Sequence, residues 1–334
     1  MAPFLIAALA ASLGVSFAQE QGSGETPPEK KQEQPKPAKK QSVEDRFLEA
    51  LKKGEKLDLK DPELLKKLTS KEGLALPGKH FGSQEGSVKV RLFGDPNGKV
   101  ELGVLYKHGD ATQDHMETLN SELQKLGEQL KAKGLAMVVV SPMGRGDGAD
   151  SAKNGERLLN MVDGVTTALG GDKPSLMVMG LSGAGRELNG IARFLNSDSP
   201  AAQGLGSRVI KMVNADALAA YHQDDKSRAQ VVGMLEKFPN MRLSAYHSVG
   251  DGYDYMARYD SKIAKHFLGQ GFGLGETVTQ GRFHFAPAGD GTHFGALRTG
   301  TKELFDGIQI GGAEKLARHN IPALRDLSTT FGGF

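Results

Sequence analysis

The sequence contains no cysteine among its 334 residues, and this absence excludes two devices that exported proteins often use. The chain can form no disulfide bond, and it cannot be a lipoprotein that is anchored through a lipidated cysteine. Its fold must therefore be held by a hydrophobic core, and a chain of this length can bury a core of sufficient size.

The sequence also has little net charge, because 42 Lys and Arg residues nearly balance 40 Asp and Glu residues, for a formal charge of +2. This balance gives no reason to expect nucleic acid or an anionic membrane as a partner. Charged residues make up 25% of the chain and hydrophobic residues 38%, as in ordinary globular proteins. The length suits one large α/β domain or two small domains.

An apolar segment, MAPFLIAALAASLGVSFA, opens the chain. It ends in Ser16-Phe17-Ala18, a small-x-small pattern that is typical of signal-peptide cleavage, although no Lys or Arg precedes the apolar run. The run is short for a membrane span. We therefore predict a signal peptide over residues 1–18, a periplasmic or extracellular protein, and no stable membrane insertion after cleavage.

Two segments separate this leader from the main domain. Residues 19–42 are rich in Gln, Glu, Lys and Pro and have almost nothing to bury, so we predict a disordered linker. Residues 43–79 are predicted to form a short helical N-terminal arm. Its second helix, DPELLKKL, has Asp61 at the N-cap and Pro62 at the first helical position, both of which favour a helix start.

Strand and helix patterns alternate through residues 80–334. SVKVRLF and KVELGVLY flank the turn GDPNG and predict a β-hairpin. The apolar run LAMVVVSP is typical of a buried parallel strand, and SLMVMG, RVIKMVNA, RLSAYHSV and a single last strand in ETVTQGRFHFA follow it. Helical patterns lie between these strands. The predicted fold class is therefore α/β, with a mostly parallel central sheet flanked by helices.

Ser182 lies where a predicted strand gives way to a helix, in MVMGLSGAGREL. Gly180, Ser182 and Ala184 form G-x-S-x-A, which is close to the G-x-S-x-G of a nucleophile elbow. No G-K-[ST] follows, which argues against a phosphate-binding loop. A dinucleotide fingerprint would lie on the first βα turn, whereas this strand comes late. On the motif alone, a glycine-rich corner without chemistry stays an alternative.

Candidate partners for Ser182 follow later strands, as a serine nucleophile needs a base and an acid that orients the base. Asp251, in AYHSVGDGYDYM, is the candidate acid, and Asp254 is its alternative. His293, in APAGDGTHFGAL, is the candidate base. His284 is the competing histidine, but it lies inside a strand pattern and we interpret it as structural.

Over about residues 80–310 the motifs resemble those of the α/β-hydrolase superfamily, with no narrower family assigned. YKHGDA is similar to the His-Gly oxyanion-hole segment, SPMGRGDGADS to the R-G-x-G-x-S turn, GLSGAG to the elbow and GTHFGAL to the histidine loop. The resemblance implies an α/β-hydrolase fold and a Ser-His-Asp mechanism with neither a metal nor an organic cofactor. The implied catalytic residues are Ser182, Asp251 and His293, and the implied oxyanion donors are the backbone N–H groups of Gly183 and Asp110.

Two positions depart from the family's pattern. Ala184 stands for the last glycine of the elbow, and Asp110 stands where the family usually has an apolar residue. A non-catalytic binding protein on the same scaffold therefore stays an alternative, as does a peptidase or acyltransferase with the same triad. We expect an exported serine hydrolase for an ester or amide. Its partner would be a small-molecule or cell-envelope substrate, without nucleic acid. Short intervals between the strands predict no lid.

Overall fold

The computed structural model describes residues 41–82, 86–108, 119–143, 150–217, 225–250 and 254–308. Within these ranges, nine strands form one mixed sheet in the order β1-β2-β4-β3-β5-β6-β7-β9-β8. The strands are β1 (Leu74–Pro77), β2 (Ser87–Gly94), β3 (Lys99–His108), β4 (Leu135–Pro142), β5 (Ser175–Leu181), β6 (Val209–Ala215), β7 (Arg242–His247), β8 (Val278–Gln280) and β9 (Phe283–Pro287). The predicted signal peptide and nearly all of the predicted linker lie outside the described residues.

The helices of the same ranges are α1 (Val43–Lys53), α2 (Pro62–Thr69), α3 (Asn120–Lys131), α4 (Ala152–Ala168), α5 (Gly185–Asn196), α6 (Pro200–Gly206), α7 (Asp225–Lys237), α8 (Asp254–Leu268) and α9 (His293–Lys302). Helix α2 starts as its sequence predicts. The Asp61 carboxylate accepts hydrogen bonds from the backbone N–H groups of Glu63 and Leu64, at 2.9 and 3.3 Å. Two N–H groups that have no partner within the helix are thereby satisfied.

Six adjacent strands, β4-β3-β5-β6-β7-β9, run parallel, which confirms the predicted α/β class. The predicted pairing of β2 with β3 in a hairpin is wrong. Strand β4 lies between them, antiparallel to β2 and parallel to β3. The GDPNG turn reverses the chain as expected, but β4 is buried at every position and takes the interior place that such an apolar strand requires.

The prediction of a single last strand is also corrected. The segment forms two strands, with β8 at the sheet edge and antiparallel to β9. Gly281 lies in the turn between them with φ of 58°, in the left-handed region that favours glycine. The chain can therefore reverse within two residues, which periodicity alone did not indicate.

The sheet separates two layers of apolar side chains. Neighbouring residues of a strand point to opposite faces, so Val138 packs in one layer and Val139 in the other. Helices α4 and α5 cover the first layer, and α3 and α9 cover the second. Phe47 of α1 and Leu68 of α2 are buried in the first layer, and β1 pairs with β2, so the sheet begins at Leu74.

Candidate active site

Ser182 follows the last residue of β5 and stands in the left-handed region of backbone space, with φ of 54°. Residues Ser182–Ala184 form a single 3-10 turn, and α5 begins at Gly185. A non-glycine residue in this conformation costs of order 1–3 kcal/mol, and such strain persists where the surrounding structure imposes it. This strained strand-to-helix turn has the geometry of a nucleophile elbow, in which the serine hydroxyl is presented at the sheet edge.

Small residues make this turn sterically possible. A Cβ atom on Gly180 would come within 2.9 Å of the Leu188 side chain, so the glycine lets α5 approach β5 closely. Ala184 is fully buried, and the fold accommodates its methyl group where the usual pattern has glycine. The departure at Ala184 therefore leaves the turn intact.

Asp216 directly follows β6, and its carboxylate contacts His293. Leu181 of β5 is in register with Ala215 of β6. The next residues, Ser182 and Asp216, therefore leave the sheet at the same level, at the carboxyl ends of these two neighbouring strands. The His293 Nδ1 atom lies 3.0 Å from Asp216 Oδ2. The Asp216 side chain is 0% exposed and the His293 side chain 15% exposed.

The Asp216 carboxylate is fixed from a second side as well. The backbone N–H of Ser248 donates to Oδ1 and Oδ2 at 3.0 and 3.1 Å. The backbone N–H of Asp216 donates to the Tyr246 carbonyl at 2.8 Å. Asp216 itself has φ of 52°, so the acid, like the serine, stands on a strained backbone turn. These bonds hold the carboxylate in one orientation, with Oδ2 toward Nδ1 of the His293 ring.

His293 is the first residue of α9. The Thr292 side chain caps the helix by accepting a hydrogen bond from the Gly295 N–H at 2.9 Å. The Thr292 N–H and hydroxyl in turn donate to Asp290 Oδ1, at 2.9 and 2.8 Å. The backbone N–H of Val249 donates to the Gly291 carbonyl at 2.9 Å, which joins the loop after β9 to the loop after β7.

Of the remaining predicted site residues, the structure describes Gly183 but not Asp251 or Asp110. Asp251 and Asp110 lie outside the described residues, so their roles stay predictions. Gly183 lies in the 3-10 turn directly after Ser182, at the start of the chain's path into α5, where backbone N–H groups lack helical partners. Asp216 is not among the residues predicted from the sequence, although a signal for it is present: an acid directly follows the apolar strand RVIKMVNA.

His284 has the contacts of a structural residue. Its Nδ1 atom lies 2.7 Å from the Thr279 hydroxyl across the β8–β9 pair, and its ring lies against Tyr246. Burial lowers the pKa of His284, although the charge of Glu303 opposes this effect. Within the described ranges, no cluster of three or more His, Asp or Glu side chains could hold a metal ion.

No protein family and no curated protein sequence matches the chain. Similar solved structures include a poly(3-hydroxybutyrate) depolymerase from Bordetella parapertussis, 14% identical, with a TM-score of 0.40 over 70% of this chain and 87% of that chain. A poly(aspartic acid) hydrolase-1 from Sphingomonas sp. KT-1 is 15% identical, with a TM-score of 0.38 over 67% and 96%. An acetyl xylan esterase from Aspergillus awamori is 13% identical, with a TM-score of 0.41 over 62% and 90%.

Proposed function

We propose that the chain is a serine hydrolase that cleaves an ester, or an amide, with Ser182 as nucleophile, His293 as base and Asp216 as acid. The observation that carries this proposal is the 3.0 Å contact between His293 and the buried Asp216. This contact lies at the carboxyl ends of the parallel strands, where Ser182 also occupies a strained turn. Asp216 thus takes the role that the sequence resemblance gave to Asp251.

The contact determines which imidazole nitrogen can act as a base. A carboxylate only accepts hydrogen bonds, so Nδ1 carries the proton and donates it to Asp216. Nε2 is then unprotonated and can accept a proton from Ser182 Oγ as the oxygen attacks the substrate carbonyl. The negative charge of Asp216 stabilises the imidazolium that this step creates.

The rest of the proposed cycle follows the acyl-enzyme pathway. The tetrahedral intermediate carries its charge on the former carbonyl oxygen, which the N–H groups of Gly183 and Asp110 are proposed to bind. The His293 imidazolium then protonates the leaving alcohol or amine. A water molecule, deprotonated by His293, attacks the acyl group, and the imidazolium then returns that proton to Ser182 Oγ as the bond to the acyl carbon breaks, which releases the acid and the free Ser182 hydroxyl.

For the substrate we propose a small ester or an exposed polymeric ester of the cell envelope, because the sequence intervals between the strands are short, which favours an open pocket. We also propose that the protein works in the periplasm or outside the cell, on the basis of the leader sequence. Within the described residues, every helix is too short or too polar to cross a membrane. Nothing in the charge balance favours nucleic acid as a partner.

The proposal is tested by labelling the mature protein with a fluorophosphonate probe, beside Ser182→Ala and His293→Ala. A reactive serine forms a bond to phosphorus and displaces fluoride. We expect labelling of the wild type and loss of labelling in both variants. The same proteins are assayed with p-nitrophenyl esters of increasing acyl length, and we expect short esters to be preferred. A folded wild type that neither labels nor hydrolyses would instead indicate a binding protein.

A further inference from the structure

Asn214, two residues before Asp216 on β6, makes two hydrogen bonds that surround the turn of the acid. Its Oδ1 atom accepts from the backbone N–H of Ala217 at 2.7 Å. Its Nδ2 group donates to Oδ1 of Asp260, in α8, at 3.1 Å. The amide therefore closes a loop over Asp216, from the residue two before it to the residue directly after it.

This network is removed from water. Asn214 and Asp260 are each 1% exposed, and Asp216 is fully buried. Water does not replace a lost partner at such a site. A buried polar group that loses its hydrogen-bond partner therefore costs the fold about 1–3 kcal/mol of stability. The left-handed backbone of Asp216 is thus held on both sides, by the Asn214 side chain and by the Tyr246 carbonyl.

The carboxyl groups of Asp216 and Asp260 have different surroundings. Burial raises the pKa of Asp260 well above its ordinary value, and the negative charge of Asp216 raises it further. Two nearby carboxyl groups do not both ionise readily in a buried site. Asp216 has the His293 ring and the Ser248 N–H as partners for a negative charge, whereas Asp260 has the neutral amide of Asn214.

We propose that Asn214 and Asp260 are positioning residues for the triad acid: the amide of Asn214, braced by Asp260, holds the Asp216 turn so that its carboxylate faces His293. The inference rests on the proposed function for its kinetic consequence. The structural part of the inference is that Asn214 controls the contact between Asp216 and His293, and this part applies to the folded protein with or without a substrate.

The test compares the full mature chain with Asn214→Ala, Asp260→Leu and Asp260→Asn. Asn214→Ala removes both hydrogen bonds, and Asp260→Leu removes the brace but leaves the bond to Ala217. Asp260→Asn is the matched control, because its amide is neutral and its oxygen still accepts from Asn214. Each protein is assayed with p-nitrophenyl acetate across pH. The imidazole of His293 is titrated by NMR, and its signal is assigned by its absence in His293→Gln.

We expect Asn214→Ala to lower kcat about 10- to 100-fold with KM nearly unchanged, the size of effect that is seen when the hydrogen-bond partners of metal ligands are removed. The pH dependence of kcat and the NMR titration curve of His293 should both differ from those of the wild type, because the carboxylate of Asp216 no longer faces Nδ1 in a fixed geometry. Asp260→Leu should show both effects to a smaller extent, and Asp260→Asn should resemble the wild type. Asp260→Leu also replaces Asn214→Ala as the test if the latter does not fold.

One result would overturn the inference: a folded Asn214→Ala, or in its place Asp260→Leu, in which the NMR titration midpoint of His293 equals that of the wild type. A loss of kcat with an unmoved midpoint would indicate general destabilisation. Failure of the proposed function looks different, because the wild type would then show no labelling at Ser182. The NMR midpoints would decide the positioning role of Asn214 even in that case.

Discussion

Lys107 of β3 and Glu187 of α5 form an ion pair in which the side chains are 3% and 5% exposed and the charged atoms lie 3.6 Å apart. Lys107 Nζ also donates to the His108 carbonyl at 3.0 Å, at the end of the strand that leads into the predicted oxyanion segment. Burial raises the pKa of Glu187, and the Lys107 charge opposes this effect. The pair therefore ties the end of β3 to the first turn of α5, which follows Ser182.

Removing one member of this pair should destabilise the fold strongly. Lys107→Met or Glu187→Leu removes one side of a buried ion pair, and such changes typically cost about 3–5 kcal/mol. The double variant Lys107→Met/Glu187→Leu should cost much less than the sum of the two, because neither member of the pair remains. Urea unfolding of all four proteins gives the free energies. Additive costs would show that the two side chains are not coupled in the folded state.

The acid of the proposed triad is decided by two isosteric substitutions. Asp216→Asn should lower kcat for p-nitrophenyl acetate about 10³- to 10⁴-fold, because an amide in place of the carboxylate favours the wrong imidazole tautomer and cannot stabilise the imidazolium. Asp251→Asn should leave kcat close to the wild-type value, because the carboxylate of Asp216 already lies at His293 Nδ1. Unfolding midpoints of both variants serve as the control for folding. The opposite pattern would return the acid to Asp251 and remove Asp216 from the mechanism.

Asp260 should give the protein a stability that depends on pH. Its pKa is raised well above the ordinary value of 3.8, mainly by burial. Between that value and the folded pKa, the folded state holds a proton that the unfolded state releases. Stability from this group is therefore greatest at low pH and is lost as the pH rises through that window. We expect Asp260→Asn, which cannot ionise, to become more stable relative to the wild type with increasing pH.

The measurement is the free energy of unfolding in urea for both proteins at about pH 4, 6 and 8, a range chosen to span the ordinary carboxyl titration and higher values. A difference between the two proteins that stays constant over this range would mean that Asp260 titrates normally in the folded state. A wild type that gains stability relative to the variant with rising pH would reverse the sign and contradict a neutral Asp260.

Local patterns predicted much of this structure. The apolar runs of β4 and β5, the cap of α2 and the small residues around Ser182 each depend on neighbours within a few residues, so the sequence indicates them directly. The place of β4 between β2 and β3 depends on pairing between strands that are distant in the sequence. A turn motif fixes only that the chain reverses, and so the predicted hairpin was wrong.

Asp216 escaped prediction for a related reason. Its proximity to His293 arises from the registers of β6 with β7 and of β7 with β9 and from the path of the chain after β9, which together bring residues 77 positions apart into contact. The resemblance to known motifs implied an acid after β7, at Asp251, and not after β6. Only the three-dimensional arrangement distinguishes an acid that follows one strand from an acid that follows the next.

The close contact of α4 with α5 gives a further prediction about the helix that carries the elbow. A Cβ atom on Gly155 of α4 would lie 2.2 Å from the Gly190 carbonyl oxygen of α5, whereas one on Gly164 of the same helix would find its nearest neighbour, in Leu51, at 3.9 Å. Both positions lie in the helix interior, so alanine brings the same gain in helix propensity, up to about 1 kcal/mol.

Gly155→Ala should therefore destabilise the protein by about 1–3 kcal/mol, because backbone atoms rather than a movable side chain occupy the space of the new methyl group. Gly164→Ala, the matched control, should be neutral or stabilising. Thermal or urea unfolding measures both, and fluorophosphonate labelling reports whether displacement of α5 disturbs the turn at Ser182. If the two variants were equally stable, the helices could separate at little cost, and the position of α5 would not depend on the contact between Gly155 and Gly190.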